Sequence, residues 1–333
     1  MVRVTVICPV FNEVHYIDQC IKSMLIQDFP QDQLEIIVVD GMSTDGTREN
    51  LQKWLSPKVR LLDNPKQIVP TALNIGIENA QGEIIMRIDA HADYPVDYVS
   101  SLERALIELD ADNVGGICRT LPANNSSKAK AIAVALGSLF GMGNSYFRIG
   151  ADKIMSVDTV PFGCFWRNLF GRIGLFDVDL IRNQDDEFNG RIIKSGGKIF
   201  LLPSVQINYY ARDTYRKVGK MFFQYGLFKP LVNKKLGSPA TIRQFFPPLF
   251  VLAIFIGGIL SCFSVLFLSL YIAFWSLYLF SALYFAIADG KCLKVVPLVV
   301  FSFLIIHLNY GMGYWLGLSR LLFNQSHRVE VSR

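Results

Sequence analysis

Apolar residues follow two regimes along the chain. In the first hundred residues, short continuous runs alternate with amphipathic stretches. Val2–Val10 is rich in β-branched residues and reads as a strand. Val14–Gln27 then repeats apolar positions at helical spacing through Ile17, Ile21, Met24 and Leu25. Leu34–Asp40, Val59–Leu62 and Glu83–Asp89 read as further strands, with helices at Gly46–Trp54 and Pro70–Ala80 between them. Asp45 is placed to cap the first of these helices. Continuous apolar strands separated by helices predict an α/β fold whose parallel sheet is covered on both faces.

From Asn113 to about Tyr210 the pattern is less regular. It contains the strand-like VGGICRTL, a loop rich in glycine and asparagine at Gly141–Arg148, and a helix at Asp185–Lys194 closed by Gly196 and Gly197. Two short strands, KIFLL and VQINYY, follow. Thr214–Lys229 has a mixed basic and aromatic face suited to lying on a membrane.

The second regime begins at Gln244. From there to Ala288 no residue is charged. About 20 apolar residues cross a bilayer, so this run is long enough for two helices. Its chargeless turn is expected near Leu268–Ser269, on the non-cytosolic side. A third apolar stretch, Val295–Leu318, contains His307, Asn309, Gly311, Gly313 and Gly317, which suit a bent or re-entrant path buried against protein better than a lipid-exposed span. Lys234, Lys235 and Arg243 place the first helix start in the cytosol, and Lys291 and Lys294 return the chain there. Both termini are therefore expected to be cytosolic, with the last segment re-entrant or lying in the interface and two helices crossing. The alternative is a third full crossing that leaves the tail outside.

Composition adds little to this division. The 333 residues carry a net charge of +5 and are 51% hydrophobic, with that excess concentrated in the apolar tail. The basic residues beside the tail, with Lys229 among them, read either as solvated surface or as a cluster facing anionic lipid. Val4–Val10 is too short for the core of an export signal. The six cysteines show no CxxC pairing, which fits a reducing cytosol and no disulfide framework.

Ligands of parallel α/β sheets bind at the carboxyl ends of the strands. Acidic residues gather there: Glu13 after CPVFN, Asp40 at the tip of LEIIVVD, and Asp89, His91 and Asp93 in RIDAHADYP. Three strands ending in acids along one edge suggest a shared polar site. Asp40 is able to accept a hydrogen bond from a nucleotide base. Asp89 and His91, two apart, suit a cation, with Mn²⁺ tolerating the imidazole better than Mg²⁺ does. His91 is equally readable as a loop histidine that only hydrogen-bonds its neighbours. Asp185, with Asp186 and Glu187, opens a helix, where carboxylates complement the dipole without any catalytic role.

CPVFNE, VVDGMSTDGT, NPKQIVPTALNIGIENAQGE and RIDAHADYP, in this order, resemble the N-terminal half of a family-2 glycosyltransferase of GT-A fold. The resemblance is nearest to membrane-anchored bacterial exopolysaccharide enzymes of the succinoglycan type. It continues through GNSYFRIG, VDTVPFGCFWR, GLFD, RNQDDEFNGRIIKSGGKI and FFQYGLFK, covering roughly residues 3–230. It implies a GT-A nucleotide-sugar-binding domain at 1–230, with a donor half at 1–115 and an acceptor half at 116–230. A juxtamembrane segment at 231–246, a membrane region at 247–320 and a polar tail at 321–333 would follow.

The resemblance also implies roles. Pro9, Phe11, Glu13, Asp40, Lys66, Asn74 and Asp89 would bind the donor. Asp89 and His91 stand at the family's Asp-x-Asp metal motif, implying Mn²⁺ or Mg²⁺. Asp185 stands at its catalytic base. Gln184, Arg212, Lys220, Gln224 and Lys229 are candidates for contacting the acceptor and its phosphates. Three departures matter. His91 replaces an aspartate, Gly41 replaces an aspartate common after Asp40, and Phe228–Lys229 replaces the Arg-Trp of processive synthases.

The expected activity is inverting transfer of a sugar from a nucleotide sugar, UDP-linked by expectation, to a hydroxyl of a lipid-linked saccharide. The expected setting is the inner (plasma) membrane, with the catalytic domain cytoplasmic and polysaccharide-assembly enzymes as partners. No nucleic-acid partner is expected. The alternatives are transfer directly to polyprenyl phosphate and, from another class, an inactive scaffold that binds nucleotide sugars. Intact acids at Asp40, Asp89 and Asp185 argue against the scaffold.

Overall fold

The computed structural model describes residues 1–325 apart from Ala240 and Lys291. Most of the polar tail and Lys291 therefore lie outside the described residues. The chain forms two compact units, one of residues 1–119 and 150–209, the other of residues 120–149 and 210 onward.

The first unit is built on a mixed sheet. Its strands are β1 (Val4–Val10), β2 (Leu34–Asp40), β3 (Val59–Asp63), β4 (Ile84–Arg87), β5 (Ala92–Asp93), β6 (Asn113–Leu121), β7 (Met155–Ser156), β8 (Cys164–Trp166) and β9 (Ile199–Tyr210). Their spatial order is β3-β2-β1-β4-β8-β6-β9-β5, with β7 also on β9. The first four strands run parallel, as their continuous apolar sequences predict. Every residue of LEIIVVD is buried. Beyond β4 the pairing turns antiparallel, with Ile84 opposite Trp166 and Ala92 opposite Tyr209.

Helices α1 (Ile17–Leu25), α2 (Thr47–Gln52), α3 (Val69–Glu78) and α4 (Tyr98–Glu108) connect these strands. Helix α1 buries Ile17, Cys20, Ile21 and Met24, the stripe its spacing predicts. Asp45 does serve the start of α2, accepting from the Thr47 backbone N–H at 3.1 Å.

One element differs from expectation. KIFLL and VQINYY form a single twelve-residue strand, β9, that runs through Pro203. Proline removes a ladder donor, so two strands were the natural reading. On the side of β9 away from β6, Phe200–Leu201 pair with β7 and Asn208–Tyr209 with β5. Pro203 falls between those stretches, where no partner asks for its missing N–H.

The second unit is helical. Short helices α5 (Ser127–Gly137), α6 (Leu139–Met142) and α7 (Tyr146–Ile149) occupy its first segment, so the expected loop at 141–148 is partly helical. Helices α8 (Arg167–Ile173) and α9 (Gln184–Lys194) belong to the first unit. Then come α10 (Tyr215–Leu236), α11 (Phe246–Leu260), α12 (Val265–Gly290) and α13 (Val296–Leu322). Helix α10 is capped by the Thr214 side chain, continues past Pro230, and ends at Gly237 in the left-handed conformation that glycine favours.

Helices α10 and α13 run side by side in backbone contact. A Cβ on Gly226 would lie 2.0 Å from the Tyr310 carbonyl oxygen, one on Gly313 2.1 Å from that of Phe223, and one on Gly317 2.1 Å from that of Leu227. Only glycine permits that approach. The last segment is thus buried against protein, as its glycines lead one to expect, and it is one continuous helix of 27 residues, α13. One sequence reading is corrected. The chargeless turn lies at 261–264, between α11 and α12, and not at Leu268–Ser269, which is helical.

Three helical stretches are long and apolar enough to cross a membrane: Ile242–Leu260, Val265–Gly290 and Leu293–Leu322. Helix α12 is the most exposed of them, with 11% of its apolar window buried, against 44% for the last. An apolar helix left so open in the protein suggests association with a membrane.

Candidate active site

The parallel register brings the strand ends to one edge. Val10 lies opposite Asp40, and Asp40 opposite Asp63. Ile7 lies opposite Arg87, and the Ile88 N–H donates to the Ile7 carbonyl at 3.0 Å. Two further residues along β4 put Asp89 close to the level of Pro9.

Beyond these ends the backbone takes special conformations. Asn12 (φ 55°), Met42 (φ 62°) and Asn183 (φ 60°) are left-handed without being glycine. Such conformations persist where surrounding bonds hold them and gather at functional sites. Asn12 is held by accepting from the Thr44 N–H at 3.0 Å and by donating its own N–H to Ser43 Oγ at 2.8 Å. Asn183 opens α9 immediately before Gln184 and Asp185.

Asp40 is fully buried, and both of its oxygens are engaged. Oδ2 accepts from the Ser43 N–H at 3.0 Å and from Arg48 Nη1 at 2.8 Å, and Oδ1 accepts from Ser43 Oγ. The same Arg48 nitrogen reaches Asp63 at 2.8 Å. Asp40 thus ties down the loop between β2 and α2, with both oxygens already engaged by Ser43 and Arg48. Gly41 follows for a steric reason: a Cβ there would sit 3.1 Å from the Phe11 ring, so the side chain common in the family would push Phe11 aside.

Asp89 is held from behind. Its backbone N–H donates to Tyr94 Oη at 2.7 Å, and its carboxylate faces Arg87 Nη2 at 3.4 Å. His91 Nδ1 lies 3.2 Å from Glu13 Oε1, and its ring rests against Tyr209, centroids 5.7 Å apart. A carboxylate only accepts, so Nδ1 carries the proton of this bond, and a neutral ring in that tautomer has its lone pair on Nε2. A carboxylate that fixes the tautomer in this way is the usual support of a metal-binding histidine. Among the described residues no three acidic, histidine or cysteine side chains converge to hold an ion. Asp89 and His91 are by donor type able to ligate a divalent cation, and two such side chains leave most of its coordination to other ligands.

Asp185 sits in the first turn of α9, its Oδ1 accepting from the Asp186 N–H at 3.0 Å. Burial, and next the Asp186 charge, hold its carboxyl above the usual carboxylate range, while Arg87 pulls the other way. Glu187 is committed elsewhere: Arg191 grips it at 2.8 and 3.0 Å and also donates to the Leu175 carbonyl. Gln184 is buried beside Asp185. Asn74 uses both side-chain polar atoms on the Phe176 backbone, at 2.8 and 3.0 Å, and so fixes the 174–177 loop. Lys66 is exposed. Arg212, Lys220, Gln224 and Lys229 belong to the second unit, where Lys220 is exposed and Gln224 and Lys229 are buried.

This arrangement, a sheet edge with a braced acid, a carboxylate–imidazole pair and a third carboxylate with a raised pKa, suits binding of a phosphorylated donor. The family model described as glycosyl transferase family 2 matches residues 5–171. The chain belongs to glycosyl transferase family 2. The dolichyl N-acetyl-α-D-glucosaminyl phosphate 3-β-D-2,3-diacetamido-2,3-dideoxy-β-D-glucuronosyltransferase of Methanococcus voltae is 31% identical over 70% of this chain and 74% of its own length. The succinoglycan biosynthesis protein ExoA of Rhizobium meliloti is 27% identical over 93% of both. Among solved structures, the mannosyltransferase PcManGT of Pyrobaculum calidifontis, in complex with GDP-Man and Mn²⁺, superposes with a TM-score of 0.63 at 19% identity, over 95% of this chain and 87% of that one. The chain is therefore a family-2 glycosyltransferase of GT-A fold with three apolar C-terminal helices.

Sequence reasoning passed over Arg48, Arg87, Ser43 and Tyr94, which brace the strand ends. A signal for Arg87 did exist: it is the one cation inside the apolar run IIMRID.

Proposed function

We propose that the chain transfers a sugar, with inversion, from a nucleotide sugar to a hydroxyl of a lipid-linked saccharide at a membrane surface. The observation that carries this reading is Asp185 with its pKa raised, in the same compact unit as Asp89 and the Glu13–His91 pair. Pro9, Phe11 and the β2–α2 loop would hold the nucleotide. Asp89 and His91 Nε2 would bind a divalent cation, Mn²⁺ in preference to Mg²⁺ because of the imidazole. That ion supplies charge stabilisation to the departing nucleoside diphosphate. Glu13 keeps the His91 proton on Nδ1. Asp185 takes the proton of the acceptor hydroxyl as it attacks the anomeric carbon. Its raised pKa makes it the stronger base once ionised. The attack is a single displacement with no covalent enzyme intermediate.

The lipid-linked acceptor is supported by the apolar helices and by the Methanococcus voltae relative, whose name gives a dolichyl-linked acceptor. Direct transfer to a lipid phosphate is the second reading. It is favoured by 27% identity over 43% of the chain to a protein of Trichomonas vaginalis named dolichyl-phosphate β-glucosyltransferase. The test is to supply purified protein with UDP-sugars and GDP-mannose, with Mn²⁺ or Mg²⁺, and with either a lipid-linked oligosaccharide extract or polyprenyl phosphate. The first reading expects transfer to the oligosaccharide, greater with Mn²⁺. Transfer to polyprenyl phosphate alone selects the second reading, and no donor turnover with any acceptor refutes both. His91→Asp should keep activity and move the preference toward Mg²⁺.

A further inference from the structure

Arg87 closes β4 two residues before Asp89 and is only 8% exposed. A guanidinium stays charged wherever it is placed, and burying it without partners is costly. Its neighbours satisfy it poorly. Nη2 reaches Asp89 Oδ1 at 3.4 Å, longer than a strong charge-assisted bond, while Nε and Nη1 are buried without any hydrogen-bond acceptor. One face lies over the Phe162 ring, 5.9 Å from its centroid. Asp185 is close enough for its charge to act on the guanidinium. The fold therefore keeps a permanent cation directly behind a carboxylate assigned to a metal, at the expense of unmet N–H groups.

Like charges in a poorly screened interior repel strongly. With Arg87 already opposite it, Asp89 offers an arriving divalent cation a largely neutralised ligand. A nucleoside diphosphate changes the balance, because it brings its own negative charge, to which Arg87 and the metal are both attracted. We propose that Arg87 is a positioning residue that makes metal binding conditional on the nucleotide, holding the affinity of the Asp89–His91 pair low until a nucleoside diphosphate is present. The inference rests on the donor-site reading of that pair. It gives His91 a further logic: a neutral imidazole in place of a second carboxylate keeps the free site from trapping metal alone.

The test is Mn²⁺ binding to the detergent-solubilised full chain, read by the loss of the free-ion electron paramagnetic resonance signal, without nucleotide and with UDP or GDP. In the wild-type chain the nucleotide should tighten Mn²⁺ binding by about 5- to 150-fold, the usual size of such coupling. Arg87→Gln should bind Mn²⁺ alone about tenfold more tightly and show a nucleotide effect about tenfold smaller, the part that remains coming from the diphosphate's own bonds to the ion. Arg87→Lys keeps the charge and should restore wild-type coupling, which a purely structural role would not require. Equal Mn²⁺ affinity of the wild type with and without nucleotide overturns the proposal, whether or not the Gln variant folds. So does an Arg87→Gln chain that folds and binds Mn²⁺ alone no better than wild type. If UDP and GDP fail to bind at all, the donor-site reading falls and takes the proposal with it, a result separable from the first two by nucleotide binding itself.

Discussion

Arg87 in the first unit and His307 in the second are both buried, at 8% and 2% exposure, and both carry nitrogen donors. Their surroundings differ. Arg87 keeps two nitrogens without acceptors and leans on carboxylates. Each nitrogen of His307 has a neutral partner, Tyr278 Oη on Nδ1 at 3.0 Å and the Phe140 carbonyl on Nε2 at 3.0 Å. A carbonyl only accepts, so Nε2 carries the proton and Nδ1 receives the tyrosine hydroxyl. Rings of Phe140, Phe246, Phe250 and Tyr278 surround the imidazole, with centroids within 6.0 Å. The apolar packing around His307 has neither water nor counter-charge to offer, so this cluster is neutral and internally matched, whereas Arg320 Nη1 near the end of α13 is buried without an acceptor. The sheet edge, by contrast, keeps the Arg87 charge only partly matched, as a site that a charged substrate completes would. On the proposed function, one region uses polarity to hold helices together and the other keeps it for chemistry.

The sharpest way to break this contrast is to remove charge from the sheet edge. Asp89→Ala should lower sugar transfer by about three orders of magnitude, on the scale of losing a main electrostatic contact, and should also lower the unfolding midpoint moderately, because it leaves the buried Arg87 with Asp185 as its remaining counter-charge. A large loss of stability with residual transfer would mean that Asp89 is structural. The complementary change in the second unit should do the reverse. His307→Leu leaves the Tyr278 hydroxyl and the Phe140 carbonyl buried without their partner and should cost about 1–3 kcal/mol, read as a lower unfolding midpoint in detergent. Tyr278→Phe removes one bond and should cost about 1 kcal/mol. Unchanged stability in both would show that the His307 contacts hold nothing.

A smaller effect separates the acids of α9. The Asp186 charge raises the Asp185 pKa, and a general base works only when ionised. The acid limb of the pH–rate profile should therefore lie above the ordinary aspartate range. Asp186→Asn should move it to lower pH, with little change in the plateau rate. A limb that stays in place would give the titration to another group.

These contrasts also mark what the sequence could reveal. LEIIVVD and the Ile17–Met24 stripe were legible because burial on both faces, or on one, writes its period directly into the residues. Asp40, Asp89, His91 and Asp185 were legible as candidates because strand ends and motif order single them out. Arg48 was not, since its reach to Asp40 and Asp63 depends on the loop that carries left-handed Met42 and Gly46. The division of the chain was hidden for a similar reason. Nothing local in 127–149 shows that its apolar residues join one core with those of α10, α12 and α13. Gly311, Gly313 and Gly317 suggested a segment buried against protein, and the backbones of α10 and α11 that they meet supply the reason for them.

The most direct test of the account is Asp185→Asn, with nucleotide binding and sugar transfer measured on the same preparation. UDP or GDP affinity should stay near wild type while transfer falls by about two to four orders of magnitude, the range for loss of a general base. Transfer at a near-normal rate would contradict the account and move proton abstraction away from α9.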